Sequence, residues 1–148
     1  MVYKEGSIKQ RDSVQWMTSA TPEGDKVRFS AHSVNRTKGE VEEVNFATLS
    51  DRGDHYFLHE IRVAEPFRNF GYMKDAFQSV IFYLGDKLSQ YDSSTPTKPI
   101  RTLARVQEGM SQANLVKVLE SWGFEELEKA DGGVLMEWEW DNYDRVFR

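Results

Sequence analysis

The first half of the chain consists of short runs in which apolar and polar residues alternate. The run "DKVRFSAHSV" follows the turn "PEGD", "VEEVNFATLS" follows "RTKG", and "HYFLHEIRV" follows "DRGD". Runs of this kind, joined by turns rich in Gly and Asp, predict consecutive antiparallel strands. Before them, "SVQWMTSA" also alternates like a strand, and "IKQRDSVQWM" leaves room for at most a short helix.

A helical period follows the strands. Apolar residues recur at spacings of three, four and seven from Met73 to Leu88, which predicts a long amphipathic helix. The next stretch, "QYDSSTPTKP" at residues 90 to 99, has the composition of a linker. We interpret it as a loop inside the domain, because regular structure is expected on both sides of it.

The C-terminal part combines strands with a second helix. The run "IRTLARV" predicts a short strand over residues 100 to 106, and Ser111 is suited to cap a helix that ends near Trp122. The run "VLMEWEWD" alternates over residues 134 to 141, and one more strand is expected around residues 125 to 128. This order of elements predicts an α/β (α+β) fold with one central, mixed and mostly antiparallel sheet flanked by helices. With 148 residues, the chain is expected to form a single domain over residues 1 to 148.

Composition narrows the range of functions. The net charge of −5 argues against a nucleic-acid partner held by a general positive field. The chain has no cysteine, which excludes disulfides, a thiolate nucleophile and a cysteine-based zinc site. No apolar run approaches the roughly 20 residues that span a bilayer, and the N-terminus lacks the apolar segment of a signal peptide. We therefore expect a cytoplasmic protein with no membrane partner.

The stretch "PFRNFGYMKDAF", residues 66 to 77, lies at the junction of a predicted strand and the long helix. The unpaired N–H groups and positive dipole of a helix N-terminus suit an anion. Gly71 lets the backbone approach a ligand closely or adopt a positive φ, and Arg68 adds a charge that suits phosphate oxygens. The alternative is an ordinary loop with a solvated arginine and a turn glycine, since a lone glycine is a weak motif.

The longer stretch "EIRVAEPFRNFGYMKDAF" resembles the central motif of the GNAT superfamily, the CoA-dependent N-acetyltransferases. In that motif, a strand ending in a Val-x-Pro-like segment precedes the loop (Gln/Arg)-x-x-Gly-x-(Gly/Ala) and a helix. The sixth loop position is Met73 here and departs from the pattern. The matching positions are Val63, Pro66, Phe67, Arg68 and Gly71.

The segment "SQANLVKVLESWGFEEL" resembles the second helix of the same family, which ends in a Gly-Phe pair before a strand. Counted back from Gly123, the usual Asn position falls on Gln112, and the usual Tyr, often the general acid, falls on Leu119. The helical pair that family members carry between their first two strands is reduced or absent here. Its loss leaves the identity of the acceptor open.

The resemblance implies that acetyl-CoA binds along the strand end and the loop after it. The backbone near Val63 would orient the pantetheine arm, and the loop would hold the pyrophosphate through its N–H groups and the side chain of Arg68. The residues predicted to contact the cofactor are Ile61, Val63, Arg68, Asn69, Phe70, Gly71, Tyr72 and Met73.

Acetyl transfer to an amine requires a base, and "LHEIRV" supplies two candidates, His59 and Glu60. Neighbouring residues of a strand point to opposite faces, so at most one of the two should face a given cleft. Some family members use a Glu on this strand, and Glu60 is the predicted catalytic base. The alternative is that Glu60 pairs with Arg62 on a solvated face. His55 and His59 would lie about 13 Å apart in a strand, so we expect no metal site.

Two functions compete at this stage. The first is an N-acetyltransferase that moves an acetyl group from acetyl-CoA to a primary amine of a small molecule or a protein. The second is a catalytically inactive protein of the same fold that binds a protein partner, which the departures at Met73 and Leu119 favour. The sequence does not identify the acceptor or partner, and it leaves a homodimer open.

Overall fold

The computed structural model describes residues 2–5, 14–35, 39–68, 71–91, 98–105 and 110–143. These residues form eight strands and two α-helices. The strands of the first half are β1 (Val2–Glu5), β2 (Val14–Glu23), β3 (Lys26–Asn35), β4 (Glu40–Asp51) and β5 (Tyr56–Val63). The second half contains α1 (Tyr72–Tyr91), β6 (Ile100–Ala104), α2 (Gln112–Ser121), β7 (Glu125–Ala130) and β8 (Gly133–Trp138). Short 3₁₀ turns occupy Glu65–Phe67 and Trp140–Asn142.

All eight strands belong to one sheet, in the order β1-β2-β3-β4-β5-β6-β8-β7. Only β5 and β6 run parallel among the described strands, and every other neighbouring pair is antiparallel. The predicted α+β fold with a mixed, mostly antiparallel sheet is confirmed. No α-helix precedes α1 in the described part of the chain, in agreement with the predicted loss of the N-terminal helical pair.

Several element boundaries differ from the prediction. Residues 14 to 17 belong to β2 and not to a helix, while residues 8 to 13 lie outside the described residues. The last strand ends at Trp138, because the chain turns into a 3₁₀ helix that packs Trp140 against Trp138 with ring centroids 5.2 Å apart. Of the predicted loop at 90 to 99, residues 92 to 97 lie outside the described residues.

Both helices pack on the same face of the sheet, which we call the core face. Phe77 of α1 stacks on Trp122, at the end of α2, with ring centroids 5.3 Å apart, and it meets the edge of Trp138 at 5.5 Å. The indole N–H of Trp138 donates to the carbonyl of Trp122 at 3.0 Å. One buried cluster therefore joins α1, α2 and the sheet.

The opposite face of the sheet, which we call the back face, is polar by comparison. Since register partners share a face, Arg28, Thr48 and Glu60 lie in one row across β3, β4 and β5, and Phe46 and Arg62 lie in the next row. None of the helices in the described residues is long and apolar enough to cross a membrane.

Candidate functional site

Strands β5 and β6 separate after a short parallel pairing. They are paired only at Tyr56–Ile100, Phe57–Arg101 and Leu58–Thr102, yet β5 continues to Val63. At the point of separation, the buried hydroxyl of Thr102 donates to the carbonyl of Leu58 at 2.8 Å. The carbonyl of Leu58 is therefore hydrogen-bonded to a side chain and not to the backbone of β6. Beyond this point a gap opens between the two strands.

We call this gap the wedge. Its volume is about 50 Å³, and it has walls from β5, from β6 and from both helices. The residues that line it are His59, Glu60, Ile61, Arg62, Met73, Thr102, Leu103, Arg105, Leu115 and Leu119. Its lining extends from Met73 of α1 and Leu119 of α2 to the edge of β5.

A β-bulge at His59 sets which side chains face the wedge. The register between β4 and β5 shifts between Thr48 and Leu49, so that His59 has no partner on β4. Leu58 and Ile61 are three residues apart, and both are buried in the core, with 0% and 6% of their surface exposed. In a regular strand they would face opposite ways, and only the extra residue of a bulge lets both face the core.

The same bulge turns His59 and Glu60 together toward the back face. The expectation that these neighbours point to opposite faces is therefore wrong, because it assumed an unbroken strand. Both residues line the wedge. The apolar spacing of three within "LHEI" was the signal in the sequence for this irregularity.

The backbone of β5 presents unpaired polar groups to the wedge. The N–H of Ala64 donates to the carbonyl of Val44 on β4 at 2.8 Å. Because backbone groups alternate in direction along an antiparallel strand, Glu60, Arg62 and Ala64 direct their N–H and C=O groups toward β4, whereas Ile61 and Val63 direct theirs toward the wedge. Pairing with β6 ends at Leu58, so these groups have no partner on β6. The C=O of Val63 accepts instead from the side chain of Arg68, which leaves the N–H and C=O of Ile61 and the N–H of Val63 facing the wedge.

The start of α1 lies beyond the far end of β5. Gly71 has a φ of 83°, and nothing lies within 4 Å of the position a Cβ would take there. Tyr72, the first helical residue, buries its ring near Phe67, with ring centroids 6.3 Å apart. The side-chain amide of Asn45 donates to the carbonyl of Tyr72 at 2.9 Å. The helix start is thus fixed to the sheet, and the buried ring of Tyr72 is not exposed to a ligand.

The remaining predicted loop residues divide into three groups. Asn69 and Phe70 lie outside the described residues. Met73 is the second residue of α1 and lines the wedge. The Nε of Arg68 donates to the carbonyl of Val63 at 3.1 Å, so this side chain ties the loop to the end of β5. Since Nε holds the strand, only the terminal nitrogens of Arg68 are left to meet an anion.

Glu60 and Arg62 form an ion pair on the back face. The Nε of Arg62 lies 3.4 Å from the carboxylate of Glu60, and the two side chains are 48% and 42% exposed. The pairing that the sequence left open as an alternative therefore exists in the fold. At this exposure, such a pair contributes about 0–1 kcal/mol to stability, so an incoming cation displaces Arg62 from Glu60 at little cost.

His59 is fixed more firmly than Glu60. Its Nε2 lies 2.7 Å from the hydroxyl of Ser50, and its ring meets the edge of Phe57 with centroids 4.9 Å apart. Burial lowers the pKa of His59 below its ordinary value, and the nearby charges of Lys26 and Arg52 lower it further. Both effects favour the neutral imidazole.

Leu119 is the residue that the resemblance aligns with the family's usual tyrosine. It is 2% exposed and lines the wedge, so an apolar side chain replaces the hydroxyl at this wall. No tyrosine is among the described residues that line the wedge. In the described part of the chain, no three His, Asp or Glu side chains form a group able to hold a metal ion.

No family model matches the chain, and no curated protein sequence matches it. Solved structures do resemble it. One is the KacTA–DNA complex, with a TM-score of 0.59, 12% identity and coverage of 85% of this chain and 75% of that one. Another is the PaiA N-acetyltransferase of Thermoplasma acidophilum in complex with coenzyme A, with a TM-score of 0.56 and 11% identity. A third is Escherichia coli ElaA, with a TM-score of 0.56, 16% identity and coverage of 79% and 70%.

These likenesses identify the fold. The chain has the fold of the GNAT acetyltransferases, as its central motif predicts. The match with PaiA covers 78% of this chain but only 61% of PaiA, so this chain spans less than two thirds of that enzyme. At 11 to 16% identity the likeness concerns the fold, and activity has to be argued from the residues of the wedge.

Proposed function

We propose that this protein is an acyl-CoA-dependent N-acyltransferase that transfers the acetyl group of acetyl-CoA to a primary amine. The observation that carries the proposal is the separation of β5 from β6 directly after Leu58. This separation leaves a gap with unpaired backbone groups along one wall and the N-terminus of α1 beyond its far end. A pantetheine arm is an extended chain with amide groups, which can form hydrogen bonds with such backbone groups.

The bound cofactor would run along β5. Its pyrophosphate lies against the first N–H groups of α1, where the helix dipole and the open space at Gly71 suit an anion. The terminal nitrogens of Arg68 add a positive charge. The N–H and C=O groups of Ile61 and the N–H of Val63 then pair with the pantetheine amides, as an added strand would. The thioester comes to lie at the narrow end, near Leu58 and His59.

The acceptor amine reaches the thioester from the back face. The cofactor would fill the wedge from the helix side, so the acceptor has to enter from the opposite side, the back face. Glu60 is half-exposed there, and its carboxylate attracts the acceptor ammonium in place of Arg62. Glu60 is also the base that the resemblance implies. The proposed cofactor is supported by the structure of PaiA, which shares the fold and was solved in complex with coenzyme A.

Calorimetry with acetyl-CoA tests the binding step. Gly71→Trp should abolish binding, because the indole fills the space that the pyrophosphate needs. Gly24→Trp is the matched control, since Gly24 also has a positive φ, of 67°, and no atom within 4 Å, but lies in the turn between β2 and β3. Arg68→Ala should weaken binding about tenfold, as expected for loss of one charge-assisted hydrogen bond. Folded protein that shows no heat of binding would exclude the proposal.

A second candidate is a protein that binds CoA or a protein partner without turnover. The observation that favours it is the apolar Leu119 at the wall where the family places its acid. Release of free thiol from acetyl-CoA in the presence of an amine separates the two candidates. We expect release that depends on both the amine and the protein, and binding without any release, across lysine peptides, polyamines and aminoglycosides, would favour the binder.

A further inference from the structure

His59 occupies the position nearest to the point where β5 and β6 separate. It directly follows Leu58, the last residue of β5 that pairs with β6, and it is the extra residue of the bulge. If acetyl-CoA binds as proposed above, the thioester carbon and sulfur lie beside this residue. A catalytic role for His59 thus rests on that proposed function.

A chain of hydrogen bonds holds the imidazole in one orientation. Arg52 donates from its Nε to the hydroxyl oxygen of Ser50 at 3.1 Å, and the same oxygen lies 2.7 Å from Nε2 of His59. Oxygen has two lone pairs, so Ser50 can accept from both Arg52 and Nε2–H. In that tautomer the lone pair of Nδ1 is free, and no described residue contacts Nδ1 within hydrogen-bond distance. Ser50 is only 5% exposed, which excludes it as the nucleophile.

The charges around His59 favour the neutral ring. Lys26 and Arg52 oppose its protonation, and burial opposes it more strongly than either. Asp25 and Glu60 act in the other direction with smaller effects. A neutral imidazole can accept a proton as a base. Because its protonated form dissociates readily, the same ring can then return the proton as an acid.

We propose that His59, and not Glu60 as the resemblance implies, is the base for the attacking amine, and that His59 then returns this proton as the acid for the leaving thiolate. The acceptor arrives as an ammonium with three protons on nitrogen. Glu60, at the exposed edge, passes the first of these to solvent. Nδ1 of His59 takes the second as the nitrogen lone pair forms the bond to the thioester carbon. The C–S bond then breaks, its electron pair stays on sulfur, and His59 returns the proton to the thiolate.

This assignment supplies the acid that Leu119 does not. The products are the amide, with one proton left on nitrogen, and CoA thiol, with one proton released to solvent per turnover. Return of the proton to sulfur is favourable, because an ordinary thiol has a pKa of about 8.5 and an ordinary imidazolium one of about 6.5. Glu60 thereby serves to receive and orient the acceptor, while the proton that couples bond formation to bond cleavage moves through His59.

The kinetic test compares His59→Gln with His55→Gln, using n-butylamine and poly-lysine as probe acceptors. His55 is the matched control, because it bonds to Asp54 at 2.6 Å outside the wedge. His59→Gln should lower kcat about 10²–10⁴-fold with acetyl-CoA affinity unchanged, as removal of a general acid–base does. The rate of the wild type should fall as the pH drops through the pKa of His59, below the ordinary 6.5, and His59→Gln should lose this inflection. Full rate in His59→Gln, or an unchanged inflection, would overturn the proposal.

A second measurement does not depend on activity. In NMR spectra of the whole chain, the imidazole signals of His32, His55 and His59 can be followed while acetyl-CoA is added. The signal of His59 should shift and those of His32 and His55 should stay in place. If calorimetry shows binding and His59 does not shift, the role of His59 is refuted while the proposed function stands. Absence of binding refutes both.

Discussion

Adjacent glycines in the last hairpin are required for different physical reasons. Gly132 has a φ of 80° in the turn between β7 and β8, and nothing lies within 4 Å of where its Cβ would be. Gly133 begins β8, and a Cβ there would lie 2.3 Å from the carbonyl oxygen of Ala104 on β6. The first glycine provides a backbone conformation, whereas the second provides space between two strands.

These two roles predict different responses to substitution. Gly133→Ala should lower the free energy of unfolding by about 1–3 kcal/mol or more, because a backbone carbonyl cannot move away as a side chain can. Gly132→Asn should change the free energy of unfolding by only a few tenths of a kcal/mol, since Asn tolerates the left-handed region. Urea unfolding of both variants checks this. Equal effects would contradict the close approach of Gly133 to the backbone of β6.

The pair of Arg28 and Glu43 makes stability depend on pH. Arg28 donates two hydrogen bonds to the carboxylate, at 2.8 and 2.9 Å, and its guanidinium lies 4.3 Å over the ring of Phe46. These hydrogen bonds lower the pKa of Glu43 below its ordinary value of 4.5. Because the pKa is lower in the folded state, the pair stabilises the fold above the unfolded-state pKa, and this contribution is lost as the pH falls through the folded-state pKa.

Glu43→Gln should therefore lower the free energy of unfolding by about 0.5–1 kcal/mol at pH 7, a value that allows for solvent screening of a partly exposed pair. The difference from the wild type should shrink steadily as the pH falls below about 4.5. Urea unfolding at several pH values measures it. Glu126→Gln, on the exposed strand β7, is the control and should show no comparable pH dependence. A difference that is the same at pH 7 and at pH 4 would contradict the assignment.

At the scale of elements, α1 joins parts of the fold that are distant in sequence. Phe77 contacts Trp122, Phe124 and Trp138, with ring centroids 5.3 to 5.5 Å apart. Its ring thus holds the end of α2 and the strand β8 to the same helix. The walls of the wedge depend on this cluster, because Leu115 and Leu119 lie on α2.

Phe77→Ala should lower the free energy of unfolding by about 3–5 kcal/mol, the range for removal of a fully buried aromatic ring. Phe82→Ala on the same helix is the matched control and should cost well under half as much, because Phe82 is 59% exposed and Phe77 is 0% exposed. Thermal unfolding of the two variants distinguishes them. Similar losses of stability in both variants would mean that they act by weakening the helix itself, and not through the aromatic cluster around Phe77.

The sequence predicted most elements because their periods are regular. The apolar stripe after Met73 is unbroken, and α1 follows it. Ser111 caps α2 by accepting from the N–H of Asn114 at 3.2 Å, a local contact that residue type alone indicates. The bulge at His59 is not predicted by regular alternation, because alternation places Leu58 and Ile61 on opposite faces of the strand. The bond from Arg68 to Val63 joins a loop to a strand end, and no local pattern specifies it.

At the scale of the whole molecule, the sheet differs between its two faces. Within the described residues, both helices and the large aromatic cluster lie on the core face. The back face instead carries cross-strand ion pairs, including the pair of Arg101 and Glu137 at 2.8 Å. At one edge, all six residues of β7 are exposed and most are charged, which discourages another strand from pairing there. The fold thus protects its outer edge and leaves unpaired backbone in its interior, at the wedge.

The alternating direction of the β5 backbone has a consequence for hydrogen–deuterium exchange. The amides of Arg62 and Ala64 donate to β4 and should exchange slowly. The amides of Ile61 and Val63 face the wedge and should exchange quickly, although they alternate with the slow ones in the sequence. Peptide fragments overlapping by one residue, or NMR, resolve this pattern. If the wedge receives the pantetheine arm, acetyl-CoA will slow exchange at Ile61 and Val63 and leave their neighbours as they were. In that case β5 would be hydrogen-bonded on both sides along its whole length, with the cofactor in the place of a neighbouring strand.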